Sequence, residues 1–208
     1  MKAPQPHWQW ETRLWQAGLR WVVGLDEAGR GAWAGPVTAA AVAFARPGVR
    51  LPCLRDSKAL APAQREACAR RIRALAAAWA VGWAAPREVD AVGIVEATRR
   101  AMRRALAGLG VTPQHLLLDY LRLPQVAVPQ TALPKADAQI ASVAAASILA
   151  KVARDAYMRA VSPAFPGYGF GQHKGYGTAR HRAALQRYGP TRLHRRSFRP
   201  VAQRLAMP

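Results

Sequence analysis

Two adjacent carboxylates, Asp26 and Glu27, end an apolar run and precede a glycine-rich turn that carries one arginine, in the segment Trp21-Val-Val-Gly-Leu-Asp-Glu-Ala-Gly-Arg-Gly31. Neighbouring negative charges repel each other unless a cation or a partner stabilises them. Carboxylate oxygens beside a flexible backbone loop suit a hard divalent metal that is bound next to a phosphate. The alternative interpretation is a polar transition from strand to turn, where Asp and Gly are common.

Two further carboxylates occupy similar places in the sequence. Asp119 directly follows the run 116–118, which is three leucines, and a charge so near a core is costly unless something pairs with it. Asp137 precedes an alanine-rich segment whose helical N-terminus would favour its charge, although a capping role alone is equally open. Four acids gathered at one edge of an α/β sheet require cations, and two divalent metals would supply them. The pattern predicts a phosphodiesterase that acts on nucleic acid.

The charge of the chain supports a polyanionic partner. Its 208 residues contain 31 Lys and Arg against 11 Asp and Glu, a formal net charge of +20. Nucleic acid is the expected partner, and a membrane surface is the weaker alternative because the basic residues do not gather on one amphipathic helix. Asp155 is the last acid, and the tail beyond it interleaves basic residues with aromatic rings. Such rings can stack on bases, but we expect most of them to pack a small subdomain.

The chain has the length of one domain. No apolar run approaches the length of a membrane span, and the N-terminal residues lack the apolar region of a secretory signal. A cytoplasmic location is therefore expected. Cys53 and Cys68 are too few for a disulfide framework, so two reduced thiols are expected.

The hydrophobic pattern predicts strands that alternate with helices, which is typical of an α/β domain. Strands are predicted over 22–25, 37–44, 79–84, 115–118 and 126–128, helices over 62–78, 94–109, 139–161 and 178–187, and a glycine-studded loop over 167–177. We expect a catalytic domain over 1–161 and a basic helical appendage of the same domain over 162–208.

Several long segments, in order, resemble the type 2 ribonucleases H, the bacterial ribonuclease HII family. The similarity runs from about residue 11 to residue 201. The matching segments are Gly24–Gly31 with Ala34–Val37, Asp56–Lys58, Leu117–Asp119, Lys135–Asp137 with Ala144–Asp155, His173–Thr178, and His194–Phe198. Because several specific segments match in the correct order, the resemblance is not a chance agreement of one short motif.

The resemblance implies a ribonuclease-H-like fold, with a mixed β-sheet flanked by helices and a small C-terminal helical extension. It implies a metal-dependent endoribonuclease that hydrolyses the RNA strand of RNA–DNA hybrids and leaves 5′-phosphate and 3′-hydroxyl ends. It also implies incision 5′ of single ribonucleotides embedded in duplex DNA, by a mechanism with two Mg²⁺ or Mn²⁺ ions. A monomer is expected, a sliding clamp is an open candidate partner, and no membrane association is expected.

The resemblance also assigns roles to individual residues. The family's catalytic, metal-binding acids fall on Asp26, Glu27, Asp119 and Asp137. Its ribose-sensing turn falls on Gly29, Arg30 and Gly31, and glycine backbone can approach a 2′-hydroxyl closely. Its substrate tyrosine falls on Tyr176, which would lie against the sugar that follows the ribonucleotide. The expected phosphate contacts are Ser57, Lys58, Lys174, Arg195 and Arg196.

Asp155 lies four residues after Lys151, so a helix salt bridge is expected, together with a supporting role behind the metal-binding acids. Two positions depart from the family's usual pattern. Ala32-Trp33 replaces a commoner Pro-Leu, and Tyr120 stands where a small residue usually follows the third acid. The bulk of Tyr120 predicts a differently shaped groove floor.

Two other classes of protein are weighed against this assignment. Ribonuclease HIII has a related catalytic domain preceded by an extra substrate-binding domain, and the roughly twenty residues before the first predicted strand are too few for one. A non-catalytic basic protein that binds RNA or DNA would explain the charge. It would not explain why four acids stand at strand and helix ends in a chain with so few acids.

Overall fold

A computed structural model describes residues 5–45, 49–54 and 60–206 of the chain. Within these ranges the strands are β1 Val22–Ala28, β2 Val37–Ala43, β3 Ala78–Ala84, β4 His115–Asp119 and β5 Gln130–Leu133. The helices are α1 Gln9–Gln16, α2 Pro62–Leu75, α3 Pro86–Ala107, α4 Ala141–Val161, α5 Phe170–His173, α6 Ala179–Tyr188 and α7 Arg199–Leu205.

The strands form one mixed sheet in the order β3-β2-β1-β4-β5. β1 pairs with β2 in an antiparallel hairpin and with β4 in parallel, and β4 pairs in parallel with β5. The C-terminal ends of β1, β4 and β5 therefore lie along one edge of the sheet. The predicted fold class, a mixed sheet flanked by helices, is confirmed.

Helices cover both faces of the sheet. The core on one side includes Leu25 and Leu116 with Met102 of α3, and the core on the other side includes Val42 with Ile148 of α4. α4 lies directly against β1, since a Cβ added at Gly24 would stand 2.3 Å from the carbonyl carbon of Ser142. A glycine in β1 thus permits the close packing that brings α4 to the edge of the sheet where β1 ends.

The predicted strand over 126–128 is wrong. The strand in this region is β5, which begins after Pro129, and the Pro129 carbonyl accepts a hydrogen bond from the Leu116 N–H at 2.9 Å. Residues 126–128 stand between Pro124 and Pro129, and proline lacks the N–H that a strand ladder needs. Their apolar side chains signal burial rather than strand pairing, because Val126 and Val128 pack against the core.

The structure has more helices than were predicted, and the bounds of some predicted helices differ. α3 begins at Pro86, eight residues before the predicted start, and is kinked at Gly93, where φ is +76°. The predicted 139–161 helix corresponds to α4, preceded by a short 3₁₀ turn over Ala136–Ala138. α1 and α7 were not predicted, and α5 lies inside the predicted 167–177 loop. Each of these unpredicted helices is short, so it presents few turns of periodic pattern.

The region after α4 packs around aromatic rings. Tyr168 and Phe170 are buried and cluster with Phe165 and with Met158 of α4. Phe198 packs against the main core, so most rings of the tail are packed, as expected. Because Met158 belongs to both the long helix and this cluster, the tail is fixed to the sheet domain. The division at residue 161 stays a prediction.

The expectation of two reduced thiols is wrong, because Cys53 and Cys68 form a disulfide. Cys68 lies on α2, and Cys53 lies in the segment before the undescribed residues 55–59. The two cysteines are only 15 residues apart in sequence, and sequence alone did not show that they meet in space. Among the helices of the described ranges, none is both long enough and apolar enough to cross a membrane.

Candidate active site

The four predicted acids line one cavity of about 280 Å³ at the edge of the sheet. Asp26 and Glu27 lie near the end of β1, and Asp119 is the last residue of β4. Asp137 lies in the 3₁₀ turn that leads into α4. The parallel pairing of β1 with β4 brings carboxylates that are far apart in sequence to the same edge.

Hydrogen bonds hold three of these carboxylates in position, two from backbone N–H groups and one from a side chain. The Glu27 N–H donates to Asp26 Oδ1 at 2.7 Å, and the Ala136 N–H donates to Asp119 Oδ1 at 2.9 Å. Arg30 donates to Glu27 Oε1 at 3.1 Å. The other oxygen, Glu27 Oε2, is buried and has no hydrogen-bond partner among the described residues. A buried acceptor without a partner is costly, which indicates that it is meant to meet a ligand.

The electrostatics of the cavity disfavour bare negative charge. Burial and then the neighbouring Glu27 charge raise the pKa of Asp26 well above its ordinary value, against a hydrogen bond from Ser147 that lowers it. Burial also raises the pKa of Glu27, although Arg30 lowers it. Such shifts are what repelling, poorly solvated carboxylates show, and a bound cation would reverse them.

The donor set fits a hard divalent cation. All four candidate ligands are carboxylates, and oxygen ligands suit Mg²⁺ and Mn²⁺. In the described part of the chain, no three or more His, Cys, Asp or Glu side chains are close enough together to hold a metal ion by themselves. An open arrangement is compatible with Mg²⁺, which keeps several waters and is bound through few carboxylates together with substrate phosphates.

The glycine-rich turn forms a second side of the cavity. Gly29 and Arg30 line it, and Gly31, which is exposed, follows them. Gly29 has φ +91°, and a Cβ there would stand 1.9 Å from Arg154 Nε. Only glycine combines this backbone conformation with such close packing.

Arg154, on α4, is fully buried and binds three carbonyls that belong to two separate backbone segments. Its Nε donates to the Pro36 carbonyl at 2.8 Å, its Nη2 to the Ala34 carbonyl at 3.0 Å, and its Nη1 to the Lys174 carbonyl at 3.0 Å. One guanidinium therefore joins the segment after the glycine-rich turn to the loop that carries Tyr176. Sequence reasoning missed this role, and its signal was one arginine within the buried face of an alanine-rich helix.

Arg195 is also fully buried, which corrects its predicted use as a phosphate contact. Its Nε donates to the Gly35 carbonyl at 3.0 Å and its Nη1 to the Arg30 carbonyl at 2.8 Å. Burial lowers the pKa of Arg195 to about 9. Its guanidinium thus supports the glycine-rich turn from within the protein and does not present a charge at the surface.

Tyr176 lines the cavity beside the acids. The Lys151 ammonium lies 5.6 Å and the Arg154 guanidinium 5.3 Å from the centre of its ring. These cations attract the ring face and restrain it. The structure therefore places Tyr176 on the same cavity as Gly29 and Arg30.

Two buried histidines support the loop that carries Tyr176: one contacts the Tyr176 carbonyl, and the other contacts the first. His181 Nδ1 lies 3.0 Å from the Tyr176 carbonyl, which can only accept, so this nitrogen carries the proton. His194 Nδ1 accepts from the Thr191 N–H at 2.9 Å, which leaves its proton on Nε2 to donate to His181 Nε2 at 3.0 Å. Both rings are therefore neutral. Burial lowers the pKa of each to about 4.

A third histidine completes the cluster. The ring of His173 stacks on His181 with 4.4 Å between centroids. Its Nδ1 accepts from the Gly175 N–H at 3.1 Å, and its Nε2 donates to the Tyr168 carbonyl at 2.7 Å.

The remaining predicted phosphate contacts have different positions. Lys174 is half-buried, with its ammonium hydrogen-bonded to the Gly171 carbonyl, and burial lowers its pKa. The Arg196 side chain is exposed, and the backbone N–H of this residue donates to Asp90 Oδ2 at 3.0 Å. Ser57 and Lys58 lie outside the described residues. None of the described phosphate candidates lines the cavity of the four acids.

Asp155 forms the predicted helix salt bridge with Lys151 at 2.6 Å, and Arg65 lies 3.7 Å away from it. Lys151 lines the cavity together with Ser147, and neither was named as a site residue from the sequence. The signal was present, since these two residues are four apart on one helix face and Asp155 follows at the same spacing.

The two departures from the family's pattern lie on different sides of the site. The Trp33 ring packs against His181, with 5.4 Å between centroids, and the Arg182 guanidinium lies 5.7 Å from its centre. Tyr120 does not form the floor of the cavity. Its side chain points outward, 67% exposed, beside Asp119.

Comparison with solved structures defines the class. The ribonuclease H2 of Pyrococcus horikoshii OT3 superposes with a TM-score of 0.75 at 26% identity, covering 88% of this chain and 96% of that one. The ribonuclease HII of Archaeoglobus fulgidus, solved in a complex with PCNA, gives 0.71 at 29% identity, covering 84% and 92%. The fold is that of a type 2 ribonuclease H.

Comparison of sequences narrows the class to one family. The sequence model described as Ribonuclease HII matches residues 23–201. Ribonuclease HII of Moorella thermoacetica is 50% identical over 190 residues, which cover 91% of this chain and 92% of the relative. The chain belongs to the ribonuclease HII family, whose members are metal-dependent endoribonucleases that degrade RNA in RNA–DNA hybrids.

Proposed function

We propose that this enzyme, beyond degrading hybrids, incises duplex DNA on the 5′ side of a single embedded ribonucleotide with the help of two divalent ions. The observation that carries the proposal is the meeting of four carboxylates with the glycine-rich turn and Tyr176 around one cavity. The acids supply a place for metals and a scissile phosphate. The turn and the tyrosine supply a way to recognise the sugar beside that phosphate.

Asp26, Glu27, Asp119 and Asp137 are the residues that would hold the ions. Bound Mg²⁺ or Mn²⁺ supplies neutralisation of the phosphate and activation of a water. The chain itself orients the acids through the Glu27 and Ala136 N–H groups. The unpartnered oxygen of Glu27 supports a ligand role for this residue.

Recognition of ribose rests on the backbone of Gly29, Arg30 and Gly31. Their N–H and C=O groups can meet a 2′-hydroxyl, the group that distinguishes RNA from DNA. The Arg30 carbonyl already accepts from buried Arg195, so the turn is held in shape before substrate arrives. Such preorganisation is what discrimination of one hydroxyl requires.

Lys151, which lines the cavity, is proposed as a phosphate contact. By the resemblance, Ser57, Lys58, Lys174 and Arg196 are proposed as further phosphate contacts. Arg195 is proposed as a support of the turn only. Asp155 holds Lys151 in place from behind. The high positive charge of the chain would draw the nucleic acid backbone to this acidic spot.

The decisive experiment is cleavage of a duplex DNA that contains one ribonucleotide, with Mg²⁺, Mn²⁺ and a chelator compared. We expect one cut 5′ of the ribonucleotide with either metal and none with the chelator. An all-DNA duplex of the same sequence is the matched control and should stay intact. Cleavage of a hybrid without cleavage of the single-ribonucleotide duplex would contradict the proposal.

Tyr176 provides a test of selectivity. Tyr176→Ala should lower turnover on the DNA–RNA–DNA duplex by on the order of a hundredfold, because a scissile phosphate misplaced by about 1 Å reacts that much more slowly. The loss on a continuous hybrid should be smaller. An equal loss on both substrates would mean that Tyr176 is a general binding residue.

The Archaeoglobus relative was solved with PCNA, which supports a sliding clamp as a candidate partner of this chain. Co-elution of the purified enzyme with its cognate clamp tests this. A monomeric state and a cytoplasmic location complete the proposal, and sedimentation of the free enzyme tests the first of them.

A further inference from the structure

Tyr120 stands at the apex of a tight turn directly after Asp119. The Leu121 N–H donates to the Asp119 carbonyl at 2.6 Å, which closes a three-residue turn, and the Tyr120 N–H donates to the Leu133 carbonyl at 3.0 Å. Leu121 is buried. With both neighbours fixed, Tyr120 has φ +60°, a conformation that is unusual for a bulky L-residue.

The fold gains little from this strained residue. The Tyr120 side chain is 67% exposed, and within the described ranges its ring stacks on no other ring and lies near no cation. Glycine or asparagine would adopt the same backbone conformation with less strain. An exposed aromatic ring held in a strained turn beside a functional site is therefore best explained by a contact outside the chain.

The position of Tyr120 relative to the cavity indicates what that contact is. In the sheet order, β4 and β5 lie on one side of β1, and β2, which follows the Gly29–Gly31 turn, lies on the other. Tyr120 thus marks the rim across β1 from the ribose-sensing turn. The same rim carries Lys135, which is exposed, has φ +57° and lies two residues beyond Leu133.

We propose that Tyr120 contacts the substrate, with its ring packed on a sugar or base of the nucleic acid in the groove and the Lys135 ammonium taking a neighbouring phosphate. The inference rests on the proposed function of the cavity. Aromatic rings bind nucleotides with little regard to sequence, and a lysine on the same rim adds attraction to the backbone. Tyr120 thereby positions the part of the nucleic acid that lies on the β4 side of the scissile phosphate.

The test compares Tyr120→Gly, Tyr120→Asn and Tyr120→Phe on the single-ribonucleotide duplex. We expect the glycine and asparagine variants to melt at a higher temperature than the wild type, because strain is relieved, while KM rises about fivefold or more because stacking is lost. Turnover at saturating substrate should change little. The phenylalanine variant should keep the wild-type KM. An unchanged KM for Tyr120→Gly, or an equal rise for Tyr120→Phe, would overturn the ring contact.

The salt dependence of substrate affinity tests the role of Lys135. Lys135→Gln should reduce the magnitude of the slope of log affinity against log salt by about 1, the amount expected when one phosphate contact is lost. Arg20→Gln is the matched control, since Arg20 is exposed at the opposite end of β1, and its slope should match the wild type. An identical slope for Lys135→Gln and the wild type would remove Lys135 from the contact. A wild type that fails to cleave would refute the proposed function, whereas an active wild type with an unaffected Tyr120→Gly refutes only this inference.

Discussion

The two sides of the cavity are built by different means. On the acid side, strand pairing and nearby N–H groups place Asp26, Glu27 and Asp119. On the recognition side, which comprises the Gly29–Gly31 turn and the Lys174–Gly177 loop, buried side chains bind backbone carbonyls from distant parts of the chain. The acids therefore follow from the sheet itself. The recognition side depends on a few long-range hydrogen bonds, and it should be the first to fail when an interior residue is changed.

The largest expected effect separates chemistry from folding on the acid side. Asp119→Asn can still accept the Ala136 N–H but loses a charge that would hold metal, so turnover should fall by about a thousandfold. The melting temperature without metal should stay the same or rise, because repulsion among the acids is relieved. Glu66→Gln, on an exposed surface ion pair, is the matched control and should keep normal turnover. Near-normal activity of Asp119→Asn in Mg²⁺ would refute its assignment as a metal ligand.

The second-largest effect is expected on the recognition side. Arg154→Met leaves the Ala34, Pro36 and Lys174 carbonyls without their donor and should lower the free energy of unfolding by about 3–5 kcal/mol. Urea unfolding measures this loss, and cleavage assays should show lower turnover as well. Arg159→Met, five residues later on the same helix, removes only an exposed ion pair and should cost at most about 1 kcal/mol. Equal costs for the two variants would show that Arg154 does not join the segments.

The histidine cluster predicts how the recognition side responds to acid. The folded-state pKa values of His181 and His194, about 4, lie below the ordinary value of 6.5. The unfolded chain therefore binds more protons, and this part of the stability is present above pH 6.5 and is lost as the pH falls towards 4. The loss should be on the order of 2 kcal/mol per histidine at pH 4.5. Unfolding free energies measured from pH 7.5 to 4.5 test this.

The control for that titration is His194→Gln, which cannot bind a proton in this range. Between pH 6.5 and 4.5, the slope of its unfolding free energy against pH should be smaller than that of the wild type. The difference should correspond to about one proton fewer taken up on unfolding. The same slope in both proteins would mean that His194 does not titrate on unfolding in the way its burial implies.

The smallest expected effect concerns the ion pair of Asp155 with Lys151. Asp155→Asn should weaken the 2.6 Å contact to Lys151 and lower kcat/KM by about tenfold at most, because Lys151 stays in reach of the cavity but is held less firmly. Lys151→Met removes the ammonium itself and should cost more. A larger loss for Asp155→Asn than for Lys151→Met would show that Asp155 acts on the site by another route.

The sequence predicted the acid side well, because its signals are local. An apolar run followed by a carboxylate marks a strand end, and this reasoning placed Asp26, Glu27 and Asp119 at the edge of the sheet. The recognition side was harder to predict. Nothing near Arg154 or Arg195 in the sequence says that these side chains bind the backbone carbonyls of Ala34 and Arg30, which are more than a hundred residues away.

Errors in the predicted fold have equally physical causes. The strand assigned to 126–128 was an apolar stretch between prolines, and burial was mistaken for pairing. The Cys53–Cys68 disulfide depends on how α2 packs, which local sequence does not encode. Short helices such as α7 gain their stability from tertiary contacts rather than from their own residues, so pattern alone does not reveal them.

The parallel pairing of β1 with β4 also bears on the order of folding events. β1 and β2 are close in sequence and can form their hairpin early, whereas β1 must meet a strand some ninety residues later in the chain. Closing so long a loop carries a greater entropic cost than forming the hairpin. We therefore expect Asp119 to join Asp26 and Glu27 only late in folding. Most of the nascent chain would then fold without gathering the three like charges that the finished enzyme must hold together.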